Sequence, residues 1–175
     1  MRLRHLLSLI AVAACLLAAP LRGHAQAMPE ASVKSAYLYN FALFSEWPDE
    51  QPGAGVVACA FATSGTAGAL VDLQNKPIKG GRLQFRTLAQ HDSVRGCQLL
   101  FIDGIPRERW KQLRTEMGAN PVLTVADNTD AQYEGAVITL VRTSDKIAFN
   151  IDAAAARNAR IVLSSKLLRL ARNLQ

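Results

Sequence analysis

The chain is short of the residues that do chemistry. Among 175 residues it has three histidines, three cysteines and 6% aromatics. His5 and His24 lie in a stretch read below as a removable leader, so His91 alone remains in the mature chain. A single histidine excludes most histidine-based zinc and general-base schemes. No HExxH, GxSxG or Walker pattern occurs, which removes the zinc-protease, hydrolase and phosphate-loop readings. His91-Asp92-Ser93 holds the residue types of a triad. Sequence neighbours point different ways, however, and triads are assembled from distant segments, so it reads as a polar turn. No catalytic residue, metal ligand or cofactor is expected.

Charge of one sign is also scarce. Twenty Lys and Arg stand against 14 Asp and Glu, and removing Arg2, Arg4 and Arg22 with the leader leaves 17 against 14. Nucleic-acid-binding domains carry a stronger, clustered excess, so nucleic acid is not an expected partner. Low charge (19%) with 50% apolar residues argues against disorder. At roughly 150 residues per domain there is room for one, and neither a repeat nor a linker is visible.

What is present first is an address. Arg2 and Arg4 precede the uncharged, mostly apolar run Leu6 to Ala19, and Ala25-Gln26-Ala27 follows. A positive start, an apolar centre and an A-x-A site are the grammar of a secretory signal peptide, here cut between Ala27 and Met28. The fourteen-residue run is short of the ~20 needed to span a bilayer as an uncleaved anchor. Val12-Ala13-Ala14-Cys15 has the look of a lipobox, but the residues after Cys15 stay apolar where a lipidated cysteine begins a polar tether. The expected organisation is a signal peptide over 1–27 and one domain over 28–175. Cys59 and Cys97 then remain as an even pair in an oxidising compartment, which favours one disulfide; two buried free thiols are the alternative.

Apolar spacing predicts the elements. Val33 to Trp47 reads as a helix with Val33, Ala36, Tyr37, Asn40, Phe41 and Phe44 as its core stripe, stopped by Pro48. Val56–Phe61, Gln98–Ile102 and Pro121–Val125 are continuous apolar runs of buried-strand type, and Arg82–Leu88 alternates with strand period. Helices are expected over Gly65–Leu73 and Pro106–Met117. Ala136–Val141 and Lys146–Ile151 form a hairpin, and two short helices capped by Asp152 and by Ser164 or Ser165 close the chain. This order predicts an α/β domain, a mixed β-sheet with helices on both faces.

Three further features carry functional expectations. Thr63-Ser64-Gly65-Thr66-Ala67-Gly68 joins a buried strand to a helix, where free N–H groups can hold an anion; it is the candidate small-molecule site. Leu38 and Tyr39, off the predicted core stripe, are candidates for partner binding, with packing under a neighbouring element as the alternative. Lys166, Arg169 and Arg172 form a basic stripe, read either as a solvated face or as contact with an acidic partner.

Five segments in order resemble a known family. Val33-Lys34-Ser35-Ala36-Tyr37-Leu38-Tyr39-Asn40-Phe41 with Glu46-Trp47-Pro48 resembles the opening motif of the YfiR family of periplasmic proteins. Cys97–Ile102, Pro121–Asp127, Phe149-Asn150-Ile151 with Ala154–Arg157, and Ser164–Leu168 resemble its later landmarks. The resemblance implies a periplasmic, non-enzymatic protein that binds the periplasmic region of an inner-membrane diguanylate cyclase. By repressing it, such a protein lowers cyclic-di-GMP and biofilm formation. It also implies an outer-membrane lipoprotein as a second partner and a stabilising disulfide. A homodimer is a candidate assembly that the residues themselves do not decide. Ala136 stands where a second glycine is expected after Gly135, and a second cysteine pair carried by some relatives is absent here. The alternative function is a periplasmic small-molecule binding protein using the Thr63–Gly68 turn.

Overall fold

A computed structural model of the chain describes residues 28–48, 50–127, 131–144 and 146–175. The expected leader, up to Ala27, lies outside them. The chain opens with α1 (Glu30–Leu43), β1 (Ser45–Glu46) and β2 (Val56–Phe61). Next come α2 (Ala67–Leu70), which runs into a 3-10 turn, then β3 (Pro77–Ile78), β4 (Gly81–Leu88), β5 (Leu99–Ile102) and α3 (Arg107–Met117). After β6 (Leu123–Asp127) come the hairpin strands β7 (Ile138–Arg142) and β8 (Ile147–Ile151). The chain ends with α4 (Ala153–Asn158), β9 (Val162–Leu163), α5 (Ser165–Leu170) and β10 (Asn173–Leu174).

Eight strands form one sheet in the order β10-β8-β7-β6-β5-β2-β4-β3. The five from β4 to β7 are mutually parallel, β8 runs antiparallel to β7, and β3 antiparallel to β4. The expected mixed sheet is present, with helices on both faces. Parallel strands buried on both sides need apolar residues throughout, which is why β2, β5 and β6 are continuous apolar runs. Within each run, alternate residues serve opposite layers. Val56, Ala58, Ala60, Leu99 and Phe101 pack with Leu38, Phe41 and Ala42 of α1. Cys59, Phe61, Leu100 and Ile102 pack with Trp110, Leu113 and Met117 of α3. Gly81 lets β4 start hard against the preceding loop: a Cβ there would stand 2.3 Å from the Gly55 nitrogen.

The predicted core stripe of α1 is rotated. Its buried residues are Ser35, Leu38, Phe41 and Ala42, while Ala36 and Asn40 are exposed. The helix is apolar around most of its circumference, so spacing alone does not choose a face. Asn40, expected to be a buried amide, turns its Nδ2 back to the Ala36 carbonyl. The helix also ends at Leu43, before Pro48, because Ser45–Glu46 leave it to pair with Val162–Leu163 as a separate two-stranded sheet. The last two helices start at the predicted caps. The Asp152 carboxylate accepts from the Ala155 N–H, and the Ser164 hydroxyl accepts from the Leu167 N–H.

Candidate functional site

In open parallel sheets ligands bind beyond the strand carboxyl ends, where the strand order reverses. Here the chain steps from β2 outward to β4, then returns to β5 on the other side of β2. The reversal therefore lies between β2 and β5, and the Thr63–Thr66 turn sits at it. Its donors are already engaged. Asp103, just after β5, accepts from the Ser64 hydroxyl at 3.0 Å and from the Gly65 N–H at 3.1 Å. The Thr66 N–H donates to the Ser64 oxygen. Ser64 and Thr66 are buried, and α2 behind them is only four residues long. The anion at this turn is the chain's own carboxylate, so the small-molecule reading of Thr63, Ser64, Gly65 and Thr66 loses its physical basis.

The neighbouring carboxyl ends are tied to α1 by charge. Lys34 pairs with both Glu30 and Asp127, and Arg142 pairs with Glu30. Two acids and two bases balance, which holds the start of α1 against β6 and β7 and leaves no net charge to recruit an ion. Deeper in this end, the Tyr133 hydroxyl donates to the Ile105 carbonyl and accepts from the Ile105 N–H. Burial, with the charges of Asp103 and Asp127, pushes its phenol above the ordinary tyrosine value.

The residues of the triad-like tripeptide point elsewhere. The Asp92 carboxylate accepts from the Ala89 N–H, and the Ser93 hydroxyl donates to Glu116. That bond holds the Glu116 carboxyl below the ordinary glutamate value. Among the described residues, no group of three or more His, Cys, Asp or Glu side chains could hold a metal ion.

Cys59 on β2 and Cys97 just before β5 are joined as a disulfide beneath the α3 layer. An Arg86 guanidinium nitrogen stands 3.0 Å from the Cys97 Sγ.

The partner-binding pair divides. Leu38 is 2% exposed and packs in the α1 layer, so it has no surface to offer; its assignment to an interface is corrected to the core. Tyr39 is half-buried, packed against that layer, with its hydroxyl donating to the Pro77 carbonyl and Lys76 over its ring. Packing under a neighbouring element explains both residues better than docking.

A different surface stands open. α3 reaches across the sheet as far as β6, where the Trp110 indole donates to the Glu134 carbonyl. Beyond it, β7 and β8 bury only one face. Ile138, Leu140, Phe149 and Ile151 are in the α1 layer, whereas Thr139, Val141, Ala148 and Asn150 are only partly covered. Thr139 pairs with Asn150, and Asn150 with Asn173 of β10, so a polar row crosses this face. The Asn150 Oδ1 is buried with no hydrogen-bond partner among the described residues. A buried, unpaired acceptor costs about 1–3 kcal/mol. The alternation of Thr139 and Asn150 with large apolar residues was a readable sign of a half-covered hairpin. Beside this face, at the amino ends of the strands, a cavity of about 330 Å³ opens between Arg114 and Met117 of α3 and Ala155 and Ala159 at α4.

No helix of the described residues is long and apolar enough to cross a membrane. No curated protein matches the chain. Among solved structures, a conserved domain protein from Vibrio cholerae superposes with a TM-score of 0.52 at 13% identity. The match covers 85% of this chain and 61% of that one, so this chain spans less than two thirds of it, and at that identity the likeness is one of fold. A family model described as YfiR/HmsC-like matches residues 31–172, from the first turn of α1 to the residue before β10. With every strand of the sheet but β10 and both helical layers inside that match, the chain belongs to the YfiR/HmsC-like family.

Proposed function

We propose that the protein is a secreted, periplasmic, non-enzymatic regulator that binds the periplasmic region of an inner-membrane diguanylate cyclase. Binding represses the cyclase and lowers cyclic-di-GMP and biofilm formation. The single observation that carries the reading is the family match across nearly the whole domain. The placement of Asp92 and Ser93 on separate partners speaks against His91-Asp92-Ser93 as a catalytic unit. The partly covered face of β7 and β8, with its polar row of Thr139, Asn150 and Asn173, is the docking surface we favour over Leu38 and Tyr39. An outer-membrane lipoprotein competing for the regulator, and a homodimer, belong to the same proposal.

Deleting the gene in a strain that carries the cyclase is expected to raise cyclic-di-GMP. A secreted copy, starting at Met28 after cleavage, restores repression; a copy made without residues 1–27 does not. Repression by the leaderless copy, or unchanged cyclic-di-GMP after deletion, refutes the reading. Asn150→Leu, which interrupts the polar row between Thr139 and Asn173, is expected to weaken repression while the protein remains folded and abundant.

A further inference from the structure

The carboxy-terminal stretch has a charge pattern that the fold does not use. From Ala153 to Gln175 the chain has five basic residues and no acidic one. In α5, Lys166, Arg169 and Leu170 lie at i, i+3 and i+4, on the face opposite the buried Leu167 and half-buried Leu168. Lys166, Arg169 and Arg172 are exposed, and none forms an ion pair among the described residues. The Lys166 ammonium stands over the Phe44 ring, a cation–π contact that leaves it without a carboxylate partner.

Apolar residues stand between these cations. Leu170 is 64% exposed, Leu174 56%, and Val162, just before α5, 61%. They are among the most exposed large hydrophobic residues of the described chain, and three of them fall in its last fourteen residues. None lines the cavity between α3 and α4. The β1–β9 pairing sets the exposed Glu46 opposite Val162, so the acid-free part of the patch runs from α5 to β10.

We propose that α5 and β10 form a docking surface for an anionic phospholipid membrane, with Lys166, Arg169 and Arg172 at the headgroups and Leu170 and Leu174 entering the acyl boundary. Cations interleaved with protruding apolar side chains suit a bilayer interface, which offers diffuse negative charge over hydrocarbon. An acidic protein surface would reward the cations, but it would have to bury the leucines in a shaped site. Each cation held at an anionic membrane surface strengthens binding roughly fivefold, and the attraction fades with salt. The surface would seat the domain on a membrane whatever protein it controls there.

The test is co-sedimentation of the mature protein with vesicles containing about 40% phosphatidylglycerol, against pure phosphatidylcholine vesicles, at low and raised salt. The wild type is expected to bind the anionic vesicles, to ignore the neutral ones, and to be released by salt. The triple variant Lys166→Gln, Arg169→Gln, Arg172→Gln is expected to bind roughly a hundredfold more weakly with unchanged thermal unfolding. A control with the same loss of charge elsewhere, Arg95→Gln, Arg107→Gln, Lys146→Gln, keeps binding. Leu170→Ser with Leu174→Ser weakens binding while leaving its salt dependence in place. The proposal is overturned if the wild type ignores anionic vesicles at low salt, or if the control loses as much binding as the α5 triple variant. It is also overturned if Lys166, Arg169 and Arg172 cross-link to an acidic protein in intact envelopes while the pure protein leaves the vesicles unbound.

Discussion

Reducing the Cys59–Cys97 bond should remove about 4 kcal/mol of stability. The linked residues are 38 apart, and closing a loop of that length lowers the entropy of the unfolded chain by about 13 cal/mol/K, or about 4 kcal/mol at 25 °C. Both cysteines are buried, at 0% and 4% exposure, so deleting the sulfurs adds a packing loss of roughly 1 kcal/mol. The cleanest perturbation is therefore reduction of the wild type, which cuts the link and keeps the atoms, alongside Cys59→Ala with Cys97→Ala, which removes both. Alanine is preferred to serine because a hydroxyl at the fully buried Cys59 position would introduce an unpaired donor. Guanidinium titrations should place reduced wild type about 4 kcal/mol below the oxidised protein, and the double variant slightly lower. Their denaturant slopes should be steeper, because an unlinked chain exposes more surface. The corresponding fall in melting temperature is roughly 10 °C. A domain of this size has only about 5–15 kcal/mol to lose, so such variants should also be depleted in cells. If reduced and oxidised protein unfold within about 1 kcal/mol of each other, the bond is not restricting the unfolded chain and the reasoning fails.

Leu38→Ala should cost about 2–5 kcal/mol in denaturant, as a core truncation does, whereas Tyr39→Phe should cost only about 0.5–1.5 kcal/mol through its bond to Pro77. Equal stability of Leu38→Ala and wild type would return Leu38 to the surface. Asp103→Ala leaves the Ser64 hydroxyl and Gly65 N–H without their acceptor and should destabilise by about 1–3 kcal/mol; an anion such as sulfate should recover part of this in a thermal shift assay. Glu116 binds its proton less readily folded than unfolded, mainly because of Ser93. Its contribution is therefore complete above the ordinary glutamate range and is lost as pH falls through the lowered folded value. Ser93→Ala should flatten stability between about pH 5 and pH 3, and an unchanged pH profile in urea would count against the Ser93 bond.

Much of the architecture was legible because it is local. The apolar run Val56–Phe61 is β2 residue for residue, since a strand buried on both faces allows no polar position. Asp152 and Ser164 announced their helices, because a cap is a contact between residues three apart. The pairing of β7 with β8 and the helix ending at Met117 were equally short-range.

Tertiary structure decided the rest, wherever the deciding contact spans a long stretch of chain. α1 is apolar on most sides, and its true face was selected by the sheet, with Ser35 tolerated in the interior because its hydroxyl donates to the Ala69 carbonyl. The strands β1, β9, β3 and β10 are two residues each, too short to show a period, and exist only through partners elsewhere in the fold. The turn at Thr63–Thr66 looked like an empty anion site until Asp103, 39 positions beyond Ser64, filled it. Residue types and their short spacings are written in the chain, so the amino-acid order determined the class of fold, the caps and the cysteine pair. Which donors are already satisfied, and which face of β7 and β8 stays open, depend on contacts between distant segments that form only when the sheet assembles.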